Sequence, residues 1–528
     1  MNVHRKATFS YSIAVSLRLV ALLFALICGL AVPSASAQAQ AEKQQAAVAP
    51  AAGPEKKNGA PESIREEMEL LKSTVDDLRS LVQQQQRALV EMQRRLDENE
   101  RALNVSSSKG AAETAALAAS PKKAAETSAL QGQSKAPDKA AVVAGWDREK
   151  GHAFLRSADG AFETQVGGYG QLDYRGYQSG DHPPNSFFIR RARIALEGKL
   201  ERYFDFRIEG DFSDPATPLR DFYLNVHRID ELQFRFGQFR VPISQEEMRS
   251  DNLQDFVERS LVNNLVPSRS PGLGVSGQIN RGDTSIISTA QFEYQIGAFN
   301  GKGLLAPNNN GTPETAIRLR FAPWKNSGGF FSKGFIFGGA FTQGRSVGGS
   351  SVRGQTESRS FTFFSPDIIN GKYIRANGEL TWLLGPAVIR AEYDQTNQRR
   401  DDLAPGGGNL PGVVAKGYMA QMTYMLTGED KPEVGVVAPR NNLFGDGGGK
   451  QGYGAWELKF RYSNLQIADG TRKSNRADTF FFGPNWYLNR FVRYVLDLGF
   501  ERFKDPARSP RPGDRNFFVV LSRVQVAF

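Results

Sequence analysis

The stretch "FFIRRARIALEGKLERYFDFRIEGDF" (residues 187–212) places an apolar side chain at almost every second position and fills the gaps with arginine, glutamate, aspartate and lysine. Alternation of this kind is the signature of a β-strand, whose successive side chains point to opposite faces. Here it passes through a short turn around Arg202 and resumes: Phe204, Phe206, Ile208 and Phe212 share one face, while Asp205, Arg207, Glu209 and Asp211 share the other. Unpaired charges are too costly to bury in a core. The charged face therefore calls for water and the apolar face for a large apolar environment.

Other segments repeat the pattern. In "AWELKFRY" (455–462) Trp456, Leu458, Phe460 and Tyr462 oppose Glu457, Lys459 and Arg461. In "FVRYVLDLGFERF" (491–503) Val492, Tyr494, Leu496, Leu498 and Phe500 oppose Arg493, Asp497 and Glu501. A closed antiparallel barrel, with lipid outside and a wet lumen inside, satisfies both faces and every backbone hydrogen bond. The pattern predicts an all-β fold, a 16-stranded antiparallel transmembrane barrel over 146–528. Its closing strand is "FFVVLSRVQVAF", with Val524, Val526 and Phe528 on one face. One expected strand spans 284–298, and the strand-like piece 357–364 is assigned to a loop. Long external loops are expected at 241–271, 345–371 and 399–412, and a long periplasmic connection at 428–452.

The chain has 528 residues and a net charge of +10. Its first 37 residues read as an export signal, with Arg5, Lys6 and Arg18 ahead of the apolar run "LVALLFALICGL" and the small residues "ASA" at 35–37. The single cysteine, Cys28, lies inside that run, so the exported chain would carry no disulfide. Residues 38–61 read as a flexible linker. From 62 to 100, Ile64, Met68, Leu71, Val75, Leu78, Val82, Gln85, Leu89, Met92 and Leu96 keep an alternating 4,3 spacing, which predicts a coiled coil between identical subunits in the periplasm. Residues 101–145, rich in Ala, Ser, Lys and Thr, read as a second low-complexity tether.

Functional candidates concentrate in the barrel. The connection from Val241 to Pro271 contains "SDNLQDFVERSLV" (250–262), which predicts a short helix capped by Ser250 or Asp251. A loop of that length folding inward would narrow the pore, with Arg249, Asp251, Asp255, Glu258, Arg259 and Arg269 setting its charge. Inward-facing cations are expected at Arg191, Arg193, Arg207, Arg235, Arg318, Arg320, Arg493 and Arg523. From Trp146 onward there are 36 Arg and 12 Lys against 41 acidic residues. Guanidinium groups stay charged and fork onto oxyanions, which suits anion passage; the competing role is to pair across strands with Glu197, Asp205, Glu209 and Asp497 and hold the wall. The basic residues are scattered rather than clustered, and no nucleic-acid partner is expected. Four histidines, His4, His152, His182 and His227, lack metal-ligand spacing, and no catalytic centre, metal or cofactor is expected. His227 near Asp221 or Asn225 makes a poor start for a serine-hydrolase triad.

The runs "GGYGQLDYRGY" (167–177), "LRDFYLNV" (219–226), "FRFGQFRVPISQEEMRSDN" (234–252), "NGELTWLLGPAVIRAEY" (377–393) and the terminal "VQVAF", with the stretch quoted first, resemble the phosphate-selective porin O and P family of Gram-negative outer membranes. The resemblance covers roughly 150–528. It implies a homotrimer of 16-stranded barrels whose third external loop folds inward, set in outer-membrane lipid by the barrel assembly machinery and passing small ions or solutes, phosphate or other anions among them. Some similar sequences carry a coiled coil before the barrel. Phosphate-specific members place lysines in the inward loop, whereas 241–271 has none here. The alternative function is a structural anchor whose periplasmic coiled coil links the membrane to the cell wall.

Overall fold

The computed structural model describes residues 142–147, 151–178, 184–216, 218–282, 287–326, 328–445, 451–470 and 474–528. The expected signal, linker and coiled-coil seam, and most of the tether, lie outside the described residues. The first described strand, β1 (Val142–Asp147), begins inside the stretch expected to be tether and pairs with β2 (His152–Ser157). The rest of the sheet comprises β3 (Glu163–Tyr177), β4 (Ser186–Leu200), β5 (Phe204–Asp211), β6 (Leu219–Ile229), β7 (Leu232–Arg240), β8 (Arg269–Ile279), β9 (Phe292–Phe299), β10 (Glu314–Phe321) and β11 (Phe335–Ser350). It continues through β14 (Ile368–Leu384), β15 (Ala387–Arg400), β16 (Leu410–Met425), β17 (Ala455–Ala468), β18 (Ser474–Tyr487), β19 (Val492–Phe503) and β20 (Asn516–Ala527). Between β11 and β14, β12 (Gly354–Gln355) and β13 (Thr362–Phe364) form a separate small ribbon, so the segment 357–364 belongs to a loop and not to the wall.

Each strand pairs antiparallel with the next, and β20 returns to β3 with Val524 opposite Leu172. The sheet has 18 strands; setting aside the β1–β2 hairpin, which extends one edge of β3, 16 close into a barrel. The pairing reaches Phe528, whose N–H and C=O bond to Gly168 at 2.9 and 2.8 Å. Closure leaves no unpaired edge along the wall, as a lipid-spanning sheet requires.

The apolar set of each strand faces outward. Phe187, Ile194, Phe212, Phe236, Phe460, Phe500 and Val524 are all exposed. Near the end of the barrel where β14 meets β15, Trp456 stacks on Trp486 at 5.1 Å and Trp382 lies near Phe335 at 6.2 Å. Higher on the wall Tyr462 lies between Tyr418 and Phe480, and Phe500 meets Phe518 at 5.0 Å. Two aromatic levels bracket an apolar band, the arrangement of a barrel in lipid.

Two expectations change. The strand expected from 284 starts at Phe292, because residues just before it turn inward to another partner: Ser288 and Thr289 bond to the Glu433 carboxylate. More substantially, the inner face is not uniformly wet. On β16–β20 it carries Val413, Leu465, Ile467, Phe481, Val495, Phe503, Phe517, Val519 and Leu521, all buried. They pack against Phe256, Val257, Leu261 and Leu265 of the long loop and Val352, Phe363 and Phe364 of the β11–β14 connection. This side of the lumen is filled like the core of a soluble protein. The inner faces of β5–β9 stay half-open, with Tyr223, His227, Gln233, Arg235, Ser276 and Gln295 partly exposed.

Candidate functional site: the inward loop and the lumen wall

The connection from Val241 to Ser268 folds into the barrel. It does not form one helix over 250–262. Ser244 caps a single α-turn, Gln245–Met248, by accepting from the Glu247 N–H at 3.1 Å, and short 3-10 turns follow at Asp251–Leu253 and Leu261–Leu265. The reason lies in where the amide hydrogens go. Val257 donates to Asp497 of the wall at 2.7 Å, Ser260 to Glu246 at 2.9 Å and Leu261 to Ser463 at 3.3 Å. A backbone whose donors are taken by side chains cannot also build a helical ladder.

Carboxylates fasten the loop. Asp251 meets Arg193 and Arg259 at 2.6 Å and Arg191 at 3.3 Å. Asp255 meets Arg249 and Arg390 at 2.9 Å and Lys431 at 2.6 Å. Glu258 meets Arg175 and Arg190 at 2.5 Å. Burial pushes all three carboxyls up, but the cations outweigh it: Arg191, Arg259 and Arg193 hold Asp251, Arg249, Lys431 and Arg390 hold Asp255, and Arg190 and Arg175 hold Glu258 well below the usual carboxylate range. Phe256 inserts beside the cations of the wall, 4.1 Å from the Arg461 guanidinium and 4.8 Å from the Lys459 ammonium. Arg269, expected in the loop, is the first residue of β8 and pairs with Asp221 at 2.8 Å.

The eight expected inward cations all fall on the lumen face of their strands, and most are neutralised. Arg523 forks onto Asp173 across the β20–β3 seam at 2.7 and 2.8 Å. Arg318 pairs with Glu379 at 2.7 Å, and Arg320 with Glu433 at 2.6 Å. Arg207 lies between Glu197 and Glu209, and Arg191 and Arg193 hold the loop. Of the eight, only Arg235 and Arg493 have no carboxylate within ion-pair distance among the described residues. Arg493 is buried and donates to Gln525 at 3.0 Å. Arg235 is partly exposed on the open side, over the Tyr223 ring at 4.4 Å and near Phe239 at 5.5 Å.

Sequence reasoning missed the lysines of the site. Lys459 pairs with Asp497 at 2.6 Å and donates to the Asp255 carbonyl at 2.8 Å; its place in "AWELKFRY" marked it as inward but gave no sign of the loop above it. Lys431 comes from the connection between β16 and β17, expected as a long periplasmic connection. From that mouth the connection runs inward: Lys431 joins Asp255 to Glu457, Glu433 reaches Arg320 and Thr289, and Val437 packs with Met425, Ala455 and Tyr487. No local pattern in "GEDKPEVGVV" (428–437) announces this. The lysines are buried against acids, which makes them fasteners rather than free anion holders. His227 lies on the lumen face between Asp205 at 3.2 Å and Asp230 at 2.8 Å. No cluster of three or more metal-ligating side chains suited to an ion occurs among the described residues.

Porin O of Pseudomonas aeruginosa is 23% identical over 430 residues, 72% of this chain and 92% of that protein. Among solved structures, the anion-selective porin from Comamonas acidovorans is 12% identical with a TM-score of 0.41, covering 69% of this chain and 99% of that one. The trimer form of OmpT from Vibrio cholerae is 10% identical with a TM-score of 0.44, covering 70% and 100%. The family model for phosphate-selective porin O and P matches residues 165–528, the whole barrel from its first wall strand to its last. With that match spanning well over half the sequence, the chain belongs to the phosphate-selective porin O and P family.

Proposed function

We propose that this porin, a water-filled channel of the outer membrane, prefers small anions and passes them along the half-open side of its lumen, beside the inner faces of β5–β9. The observation that carries the reading is Arg235: a guanidinium with no carboxylate partner among the described residues, partly exposed there and propped on two aromatic rings. A fixed charge in a narrow, low-dielectric passage acts strongly on permeating ions. Near it Arg207 and Arg240 add positive potential, discounted by the acids they bind.

In this reading the loop residues Arg249, Asp251, Asp255, Glu258 and Arg259 build the constriction by holding each other and the wall, while Arg269 at the start of β8 braces the wall beside it. Because they are mutually neutralised, they offer no central phosphate trap, and the preference is for anions as a class. Three copies assemble, joined by the seam from Ile64 to Leu96 as a periplasmic stalk. Planar-bilayer recording under a KCl gradient tests the selectivity: the expected reversal potential has the sign of anion preference, reduced in Arg235→Gln. A cation-selective wild-type channel sinks the reading.

A further inference from the structure

Above the upper aromatic level the outer surface of the barrel leaves the apolar band. Over β11, β14, β15 and β16 it turns basic. Arg345, Lys372, Arg399 and Lys416 all point away from the lumen and are exposed. Arg345 and Lys372 are direct cross-strand partners. Like charges placed opposite one another are destabilising, and none of the four has a carboxylate within ion-pair distance among the described residues.

The backbone gives these cations a groove. The β14–β15 register slips between Asn370 and Tyr373, where Gly371 takes a φ of 102°, and the β15–β16 register slips between Gln398 and Arg400. The two irregularities sit at one level and spread the strands. Between them lies a recess of about 360 Å³, its upper part lined by Lys372 and Arg399 and its lower part by the row Ile374, Asn397 and Val414. One step below, Lys416 lies level with Gln395, and a further step down Tyr393 and Tyr418 lead into the apolar band. Cations at the top of the recess and again just below it, with apolar Ile374 and Val414 between them and the aromatic level beneath, match a lipid with a phosphorylated headgroup, whereas free phosphate would make no use of the apolar contacts.

We infer that this recess is a binding site for a phosphorylated lipid of the outer leaflet, held by Lys372 and Arg399 with Arg345 and Lys416 as flanking charges. A second copy of the chain fits less well. A carboxylate on the outer face at comparable height, Asp478, is already bound by Arg476, Tyr462 and Asn464. The inference rests on the outer-membrane location and is independent of the anion preference proposed above.

The test uses full-length protein, purified in detergent and stripped of lipid, titrated with bisphosphorylated lipid A and with its dephosphorylated form while bound lipid is counted by native mass spectrometry. The wild type should take up the phosphorylated lipid in preference. The double variant Lys372→Gln/Arg399→Gln should bind it about thirtyfold more weakly, and Arg202→Gln, at the opposite rim, should bind as the wild type does. Unchanged single-channel conductance shows that the double variant has folded. Should it not fold, the wild type's discrimination between the two lipids decides alone. Equal binding of both lipids, undiminished binding by a folded double variant, or loss of oligomers in that variant overturns the site, the last by making this face a subunit interface.

Discussion

The two sides of the lumen obey different physics. On β16–β20 the inner wall is apolar near the β11–β14 connection and ionic lower down, and both parts are sealed: Lys459, Arg461, Asp497 and Glu501 have almost no solvent access. On β5–β9 the same kind of inward charge keeps contact with water, as Arg207 and His227 do. Both sides alternate in sequence. What separates them is the pair of external connections that cover one side and leave the other open, so the path through the barrel is set by where loops land more than by the strands themselves.

Breaking the sealed side should have the largest effect. Phe256→Ala removes the aromatic anchor of the loop at a fully buried position and should cost about 3–5 kcal/mol in barrel stability, read as a lower unfolding temperature in detergent, with higher and noisier single-channel conductance. Next comes Lys431→Met, which strands Asp255 and Glu457 without their shared cation. The expected loss is about 3 kcal/mol, and a double-mutant cycle with Asp255→Asn should recover part of it.

Acid offers a third way to weaken the seal. Asp251, Asp255 and Glu258 have folded-state values below their ordinary ones, so the stability they lend is fully present at neutral pH. It is lost progressively as pH falls below about 4, where the unfolded carboxyls begin to bind protons. Conductance noise should rise over that range while the circular dichroism of the sheet persists; a loop insensitive to acid would show that apolar contacts alone hold it. On the open side the effects on stability should be small. Arg235→Gln should cost less than about 1 kcal/mol, since only ring contacts are lost, yet it should shift the reversal potential. A large loss of stability there would erase the distinction between the two sides.

The wall was legible in the sequence because lipid imposes a strict rule on every second residue. The run 187–212 became β4 and β5 with the expected faces, and 357–364 stayed out of the wall as a loop. The inward course of the third external connection was legible from its length. The sealed side was harder to foresee. Period two shows which residues face the lumen and leaves open whether water reaches them; the one local hint was "FFVVL" at 517–521, apolar on both faces, as in strands covered on both sides. The fasteners were less visible still. Lys431 meets Asp255 across 176 positions of chain, and no local spacing records a contact made through a closed barrel.

The meeting of Lys431 with Asp255 joins segments that enter from opposite mouths. The joint lies on the sealed side, away from the half-open path, so a tug on either segment is transmitted to the other through a carboxylate that no passing solute touches. The channel's two entrances are mechanically wired together, so a substitution made at one can be expected to register at the other.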